Sequence, residues 1–286
     1  MKKLSMIAAV AMVAVLSVAG AASADEPKTH QDFEAKLFAG SKPGKTPGKG
    51  SIGTYLKPFH NQTWPAVPDK NSTKGALGVS PPFATVIAYV YLDKNVKFDP
   101  TGFPACDLDT VKAMAPENQF GGCPKGSVLG KGVAAGYARV PGAAAGAYSL
   151  APELVTRVVS SGKKNGFYLF TYNETTKGNV IMATIQKASG KFGSRIEFVL
   201  PTGLIFPGKL LVSQLSSFDA TIPAQTSKGK ALITLKKCPS NKKVSVGYQG
   251  LYSNNATAKP GVNPEDGKGY LVTSKSDIIT RTGKCK

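Results

Sequence analysis

Four cysteines are the residues of this 286-residue chain whose type and number point most directly to chemistry. They are Cys106, Cys123, Cys238 and Cys285. An even number of thiols can form disulfides or hold zinc, but no two of these cysteines have the Cys-x-x-Cys spacing of a zinc site. We therefore predict two disulfides. Three pairings are possible, and closure of the shortest loop favours Cys106 with Cys123, which leaves Cys238 with Cys285.

Histidines and paired carboxylates, the usual acids and bases of enzymes, are few in this sequence. His60 stands in a polar stretch without a Gly-x-Ser-x-Gly nucleophile elbow. Asp107 and Asp109 suit the start of a helix, where carboxylates favour the dipole. Glu265 and Asp266 stand in a turn-forming composition. We therefore predict no catalytic residue, no cofactor and no metal ligand, and a protein that is not an enzyme.

The N-terminus has the order of residues that is typical of a secretory signal peptide. Lys2 and Lys3 precede an apolar run over 4–19, and small residues follow it up to a predicted cleavage site between Ala24 and Asp25. We expect the protein to be secreted to the extracellular space or the cell envelope, where an oxidising environment keeps cysteines paired. No later stretch of the sequence is long and apolar enough to span a bilayer.

The chain is strongly basic, with a formal net charge of +19 that falls to +17 when Lys2 and Lys3 are removed with the signal. All but four of its 36 basic residues are Lys, which lacks the bidentate guanidinium that reads bases and phosphates. We therefore expect no nucleic-acid partner. The charge favours solubility, or weak and salt-sensitive binding to anionic envelope polymer or lipid head groups. It indicates no oligomeric state.

The elements that must position these residues are predicted to be strands. Residues 25–51 form a Lys-, Pro- and Gly-rich stretch that we predict to be a flexible leader, followed by one domain over 52–286 with a core from about residue 81. About ten short segments rich in β-branched and aromatic residues follow, which argues for an antiparallel sandwich or barrel. We expect a β-sandwich, Ig-like or jelly-roll-like. One short helix, capped by Asp107 or Asp109, should lie inside the first disulfide loop.

The sequence around the cysteines resembles a known group of proteins. The residues that carry the resemblance are V-Y-L-D-K-N-V-K-F-D-P-T-G-F-P-A-C at 90–106, G-G-C-P-K-G-S-V-L-G-K-G at 121–132, K-K-C-P-S-N-K-K-V-S-V at 236–246, and Cys285. They are similar to uncharacterised secreted, disulfide-bonded β proteins of high-GC Gram-positive bacteria. The resemblance implies an exported β protein with the same cysteine pairing, and it implies no activity or catalytic residue.

Three functions are compatible with these features. The leading hypothesis is a non-catalytic exported protein that acts by surface contact in the envelope or outside it, with weak electrostatic binding to anionic polymer. The second is a carrier of an apolar ligand, because strands that are apolar on both faces, at 83–92 and 166–173, can line a cavity as well as a solid core. The third is a carbohydrate hydrolase that uses two distant carboxylates.

Overall fold

The computed structural model describes residues 31–39, 47–56, 84–114, 122–139, 148–173, 178–205, 212–253, 272 and 274–285. The predicted signal peptide with its cleavage site at Ala24 and Asp25, and the predicted turn at Glu265 and Asp266, lie outside these residues, as does His60. Across the described ranges, none of the helices has the length and apolar character needed to cross a membrane.

The described residues are organised mainly as strands. In chain order the elements are β1 (Gln31–Ala39), β2 (Lys49–Leu56), β3 (Ala84–Asp93), β4 (Val96–Phe98), a 3-10 turn (Pro100–Gly102), α1 (Leu108–Lys112), β5 (Val128–Arg139), β6 (Tyr148–Ser160), β7 (Gly166–Tyr172), β8 (Asn179–Lys187), β9 (Phe192–Val199), α2 (Thr202–Ile205), β10 (Val212–Ile222), β11 (Thr226–Ser227), β12 (Lys230–Ala231), β13 (Ile233–Leu235), β14 (Lys243–Ser253), β15 (Ser274–Lys275) and β16 (Ile279–Cys285).

Twelve of these strands form one sheet that closes on itself. Their order is β15-β14-β16-β1-β2-β10-β5-β6-β7-β8-β9-β3, and β14 also pairs with β3. Val246 of β14 stands opposite Leu92 of β3, which closes the row of strands from β14 round to β3 and leaves β15 as an addition beside β14. The pairs are antiparallel except for β1 with β16, which run parallel.

The predicted all-β, mostly antiparallel class is confirmed, but the strands form a closed, barrel-like sheet instead of the predicted sandwich. Both architectures need short strands with one face turned to a core, so the strand pattern alone does not separate them. The distinguishing fact is the pairing of β14 with β3, which lie far apart in the chain. That pairing depends on tertiary structure and leaves no local signal in the sequence.

The predicted flexible leader also differs from the structure, because residues 31–39 and 49–51 belong to β1 and β2 of the closed sheet. The core therefore begins well before residue 81. In β1 the buried Phe33 and Leu37 alternate with the exposed Glu34 and Lys36, which is the period of a half-buried strand. The flanking Lys, Pro and Gly residues obscured this short alternation.

One end of the closed sheet is filled by a two-stranded ribbon of β4 and β13. Val96, Phe98 and Leu235 of this ribbon are buried in the same core cluster as the inward side chains of the sheet. The backbone N–H of Gly48, just before β2, donates to the carbonyl oxygen of Ile233 at 2.8 Å. Cys238 and Cys285, with Cα atoms 5.8 Å apart, form a disulfide that ties the end of the ribbon to β16.

The outer face of β7 is covered by the first disulfide loop. Cys106 and Cys123 are bonded, with Cα atoms 5.1 Å apart, and they pack in one cluster with Tyr168 and Phe170 of β7. The predicted helix in this loop is α1, and the Asp107 carboxylate accepts a hydrogen bond from the Thr110 backbone N–H at 2.8 Å. Both disulfides are the pairs that the sequence predicts.

Candidate ligand-binding cavity

The inward faces of four neighbouring strands, β2, β10, β5 and β6, form part of the wall of an internal cavity. Thr54 of β2 stands opposite Phe33 of β1 on one side and opposite Phe218 of β10 on the other. Phe218 in turn faces Ala134 of β5, which faces Leu154 of β6. Directly opposed residues of neighbouring strands point to the same side of a sheet, so these five side chains form one inward row.

Small residues in β5 leave space in this wall. Ala134, Ala135 and Gly136 line the cavity where longer side chains would fill it. Gly132, earlier in the same strand, is needed for a close approach, because a Cβ there would collide with the carbonyl oxygen of Asp219 in β10. The Gly- and Ala-rich composition of this stretch thus brings β5 close to β10 and also keeps the interior open.

The cavity has a volume of about 110 Å³ and lies toward the end of the sheet opposite the ribbon. Leu204 and Ile205 of α2 line it there. A second cavity of about 80 Å³ extends toward the ribbon, where Val96 and Phe98 contribute to its wall. The residues that line both cavities are Ile52, Val90, Leu169, Phe198 and Phe218.

Most of the lining is apolar, and strands β3 and β7, which are separated by β8 and β9 in the sheet, both contribute to it. Val90 comes from β3 and Leu169 from β7, the two segments whose apolar character on both faces the sequence analysis noted. The polar residues of the larger cavity are neutral, namely Thr54, Thr85, Thr171, Ser213 and Tyr248. A concave apolar site with a few polar groups is the usual composition of a small-molecule site.

The polar residues differ in whether their hydrogen bonds are already made. The hydroxyl of Thr171 lies 3.5 Å from the carbonyl oxygen of Asn179, at the limit of a hydrogen bond. Tyr248 is hydrogen-bonded to Tyr252. In contrast, the Thr54 hydroxyl is buried and has no hydrogen-bond partner in the described part of the chain. It is therefore a buried lining group whose hydrogen bond is not made within the described residues.

The tyrosine pair keeps this part of the interior uncharged. Burial raises the pKa of Tyr248 well above its usual value, and burial also raises the pKa of Tyr252. Both phenols therefore stay protonated at neutral pH. The ring of Tyr248 stacks on Phe33, with ring centroids 5.4 Å apart. These contacts hold the Tyr248 ring against β1.

Apart from the cavity, the surface carries a group of lysines around the Cys238–Cys285 disulfide. Its members are the exposed Lys236, Lys237, Lys242, Lys243 and Lys284, which we call the basic patch. Lys243 of β14 stands directly opposite Lys284 of β16. No carboxylate residue occurs in 236–243 or 279–285. The turn is held in place by hydrogen bonds from the backbone N–H of Cys285 to the Lys242 carbonyl oxygen and from that of Lys242 to the Pro239 carbonyl oxygen.

The two carboxylates of the first disulfide loop, Asp107 and Asp109, lie where the sequence predicts, at the start of a helix. Asp107 caps α1, and Asp109 lies in the first turn of that helix. Among the described residues, no group of three or more His, Cys, Asp and Glu is placed so that it could hold a metal ion. The space beside Ala134 and Ala135 was not predicted from the sequence, because a Gly- and Ala-rich composition indicates close packing and cavity formation equally well.

Comparison with known proteins adds little to this description. No protein-family model matches the chain, and no curated protein matches it. One solved structure with similarity is titled "AvmM Catalyzes Macrocyclization in Alchivemycin A Biosynthesis". It has 10% sequence identity over 88% of each chain and a TM-score of 0.27. A similarity at that level carries no argument about fold or function.

Proposed function

We propose that this protein is a non-catalytic exported carrier that binds a small apolar molecule inside its closed sheet. The observation that carries the proposal is the apolar cavity of about 110 Å³ beside Ala134, in a sheet whose opposite end is packed by the β4–β13 ribbon. Cavities larger than a water molecule are few in protein interiors, since empty space forfeits dispersion contacts. An interior that retains such a space, with neutral polar groups in its wall, is suited to a ligand.

The dimensions of the cavity favour a small or slender ligand. Sites for drug-sized molecules occupy about 300–1,000 Å³, which is more than either cavity offers. The two cavities share five lining residues, so a narrow chain that starts beside Ala134 can extend toward Phe98 after small side-chain adjustments. We therefore expect a ligand with a short alkyl chain or a single small ring.

Export is part of the same proposal. Its support is the signal-like N-terminus of the sequence together with two disulfides, which persist in oxidising compartments. A small apolar molecule is poorly soluble in water, and an extracellular binding protein would keep it in solution. The carrier takes precedence over the surface-contact hypothesis because the cavity is a specific observation, whereas net charge is a general one.

Titration with 1-hexanol tests the carrier proposal. We expect saturable binding by calorimetry with a negative heat-capacity change, the sign of apolar burial. Ala134→Leu should weaken binding at least tenfold, because its added carbons occupy the space of about two ligand methylenes at about 0.8 kcal/mol each. Ala183→Leu adds the same atoms to a buried alanine that lines neither cavity, so it should weaken binding less than Ala134→Leu does. No saturable binding, or equal affinity in both variants, would contradict the proposal.

We also propose that the basic patch attaches the protein weakly to an anionic polymer of the envelope. Like charges directly opposite each other on neighbouring strands lower stability, and Lys243 faces Lys284 in this way. A polyanion lying across the patch would remove that repulsion. Because the lysines are exposed, the attraction should be strongly reduced between 0.05 and 0.5 M salt, roughly the range over which the Debye length falls below 5 Å.

Binding to inorganic polyphosphate tests the patch. Replacing Lys237, Lys242 and Lys243 by Gln should weaken low-salt binding at least tenfold. The matched control replaces three exposed lysines away from the patch, at 125, 163 and 164, and loses the same formal charge. Equal weakening in both triple variants would indicate a response to net charge alone and would refute the proposal that the basic patch is the binding site. Tighter binding to vesicles of anionic lipid than to polyphosphate would assign the patch to membranes instead.

A further inference from the structure

Thr54 gives information about the ligand that the shape of the cavity does not. Its side chain is 3% exposed and lines the larger cavity, and its hydroxyl oxygen has no hydrogen-bond partner within the described residues. Its cross-strand neighbours on both sides are Phe33 and Phe218, whose side chains have no polar atoms. A buried hydroxyl without a partner is unfavourable, so its place in the wall of a cavity points to a partner that occupies the cavity.

Four other buried hydroxyls also lack a partner among the described residues, and they provide a contrast. They belong to Ser127, Thr156, Ser216 and Ser253, and none of them lines either cavity. Of these five buried hydroxyls in the described residues, that of Thr54 is the one whose residue lines a cavity, so a ligand atom there can supply the hydrogen bond that the protein does not. Tyr248, another polar residue of the lining, is already bonded to Tyr252.

We infer that Thr54 binds the single polar group of the ligand, and that the ligand is a small neutral amphiphile such as an alcohol, an aldehyde or a ketone. This inference rests on the proposed carrier function. The Thr54 hydroxyl can donate a hydrogen bond to a carbonyl oxygen, or donate to and accept from an alcohol. The hydrocarbon part of the ligand then lies along the apolar wall formed by Leu169, Phe198 and Phe218.

The charges of the residues that line the cavity determine whether it favours a neutral or an ionised ligand. The residues that line the larger cavity include no Lys, Arg, Asp or Glu among those the structure describes. A carboxylate moved into this environment would lose its hydration without gaining a cation, which is strongly unfavourable. The cavity therefore selects against fatty-acid anions, although their alkyl chains would fit the apolar wall.

The experiment compares three six-carbon probes, hexane, 1-hexanol and hexanoate, by NMR shift titration at pH 7. We expect the wild-type protein to bind hexane and 1-hexanol, and to bind hexanoate at least tenfold more weakly than 1-hexanol. Thr54→Val keeps the shape of the side chain and removes the hydroxyl. It should weaken 1-hexanol binding about tenfold, the value of one buried hydrogen bond, and leave hexane binding unchanged or tighter.

Thr156→Val is the matched control, because it removes another buried hydroxyl without a described partner at a position that lines neither cavity. It should leave the ratio of hexanol to hexane affinity at its wild-type value. If the wild-type protein binds none of the probes, the carrier function itself is refuted. If the probes bind but Thr54→Val leaves the hexanol-to-hexane ratio unchanged, or hexanoate binds as tightly as 1-hexanol, the ligand inference is refuted and the carrier function stands.

Discussion

Filling the larger cavity should stabilise the protein, which is the opposite of the usual effect of enlarging a buried residue. Ala134 is 5% exposed and faces the cavity, with Phe218 and Leu154 as its cross-strand neighbours. Ala134→Leu adds three carbon atoms, and burying them at about 0.8 kcal/mol each gives about 2.4 kcal/mol. The loss of leucine side-chain entropy reduces this stabilisation by about 0.5–1 kcal/mol. The expected gain in the free energy of unfolding is therefore about 1.5–2 kcal/mol.

The same substitution at Ala183 provides the comparison. Ala183 is 3% exposed in the core of the same closed sheet but lines neither cavity. Ala183→Leu must displace its neighbours, and overpacking of this kind costs about 1–3 kcal/mol. The two variants have the same composition, so any difference between them arises from the space around the side chain.

Thermal and urea denaturation of the two variants measure the effect. At about 2–4 °C per kcal/mol for a protein of this size, Ala134→Leu should raise the Tm by about 3–8 °C, and Ala183→Leu should lower it. Ala134→Leu should also lose hexanol binding while it gains stability, a combination that misfolding cannot produce. If Ala134→Leu destabilises the protein as much as Ala183→Leu does, the cavity cannot accommodate the added carbons and the predicted gain in stability is refuted.

Three further predictions concern the frame around the cavity. Phe33→Ala should lower the free energy of unfolding by about 3–5 kcal/mol in urea denaturation, because Phe33 is fully buried against Tyr248, whereas a residue of a flexible leader would give no effect. Replacing Cys238 and Cys285 by Ala should cost about 4 kcal/mol by loop entropy, measured against the oxidised wild type, and an unchanged stability would contradict a bond between them. Burial raises the pKa of Asp99, but hydrogen bonds from Lys97 and Thr101 outweigh burial and lower it to about 2 from 3.8. Its stabilising effect is thus present above pH 4 and lost as the pH falls toward 2, so Asp99→Asn should cost about 1–2 kcal/mol at pH 7 and flatten the stability profile over that interval.

The features that the sequence predicted correctly are those with a local signal. The density of β-branched and aromatic residues predicted strands, and Asp107 before Thr110 marked the start of α1. The cysteine pairing followed from loop length. In each case the deciding residues lie within a few positions of one another or, for the disulfides, in a small set of alternatives.

The features that the sequence did not predict depend on distant residues. Closure of the sheet requires β14 to pair with β3. The residues of neither strand indicate which other strand it pairs with. The cavity depends on which side chains stand opposite Ala134 and Thr54, and therefore on register across β2, β10 and β5. The strand β1 was missed for a different reason, because its alternation is brief and is flanked by residues that are typical of loops.

The two ends of the closed sheet differ in a way that suits a carrier. The ribbon end contains large buried side chains such as Phe98 and Leu235 and the Cys238–Cys285 disulfide, whereas the opposite end has Ala134 in its wall and space beside it. A cavity forfeits dispersion contacts between the side chains of its wall, and a bound molecule would restore them. Strand register must be kept, because a slip of one residue would turn Thr54 outward. At the packed end, the hydrogen bond from the Gly48 N–H to the Ile233 carbonyl oxygen fixes the start of β2 on the ribbon, and so favours the register that keeps Thr54 at the proposed binding position.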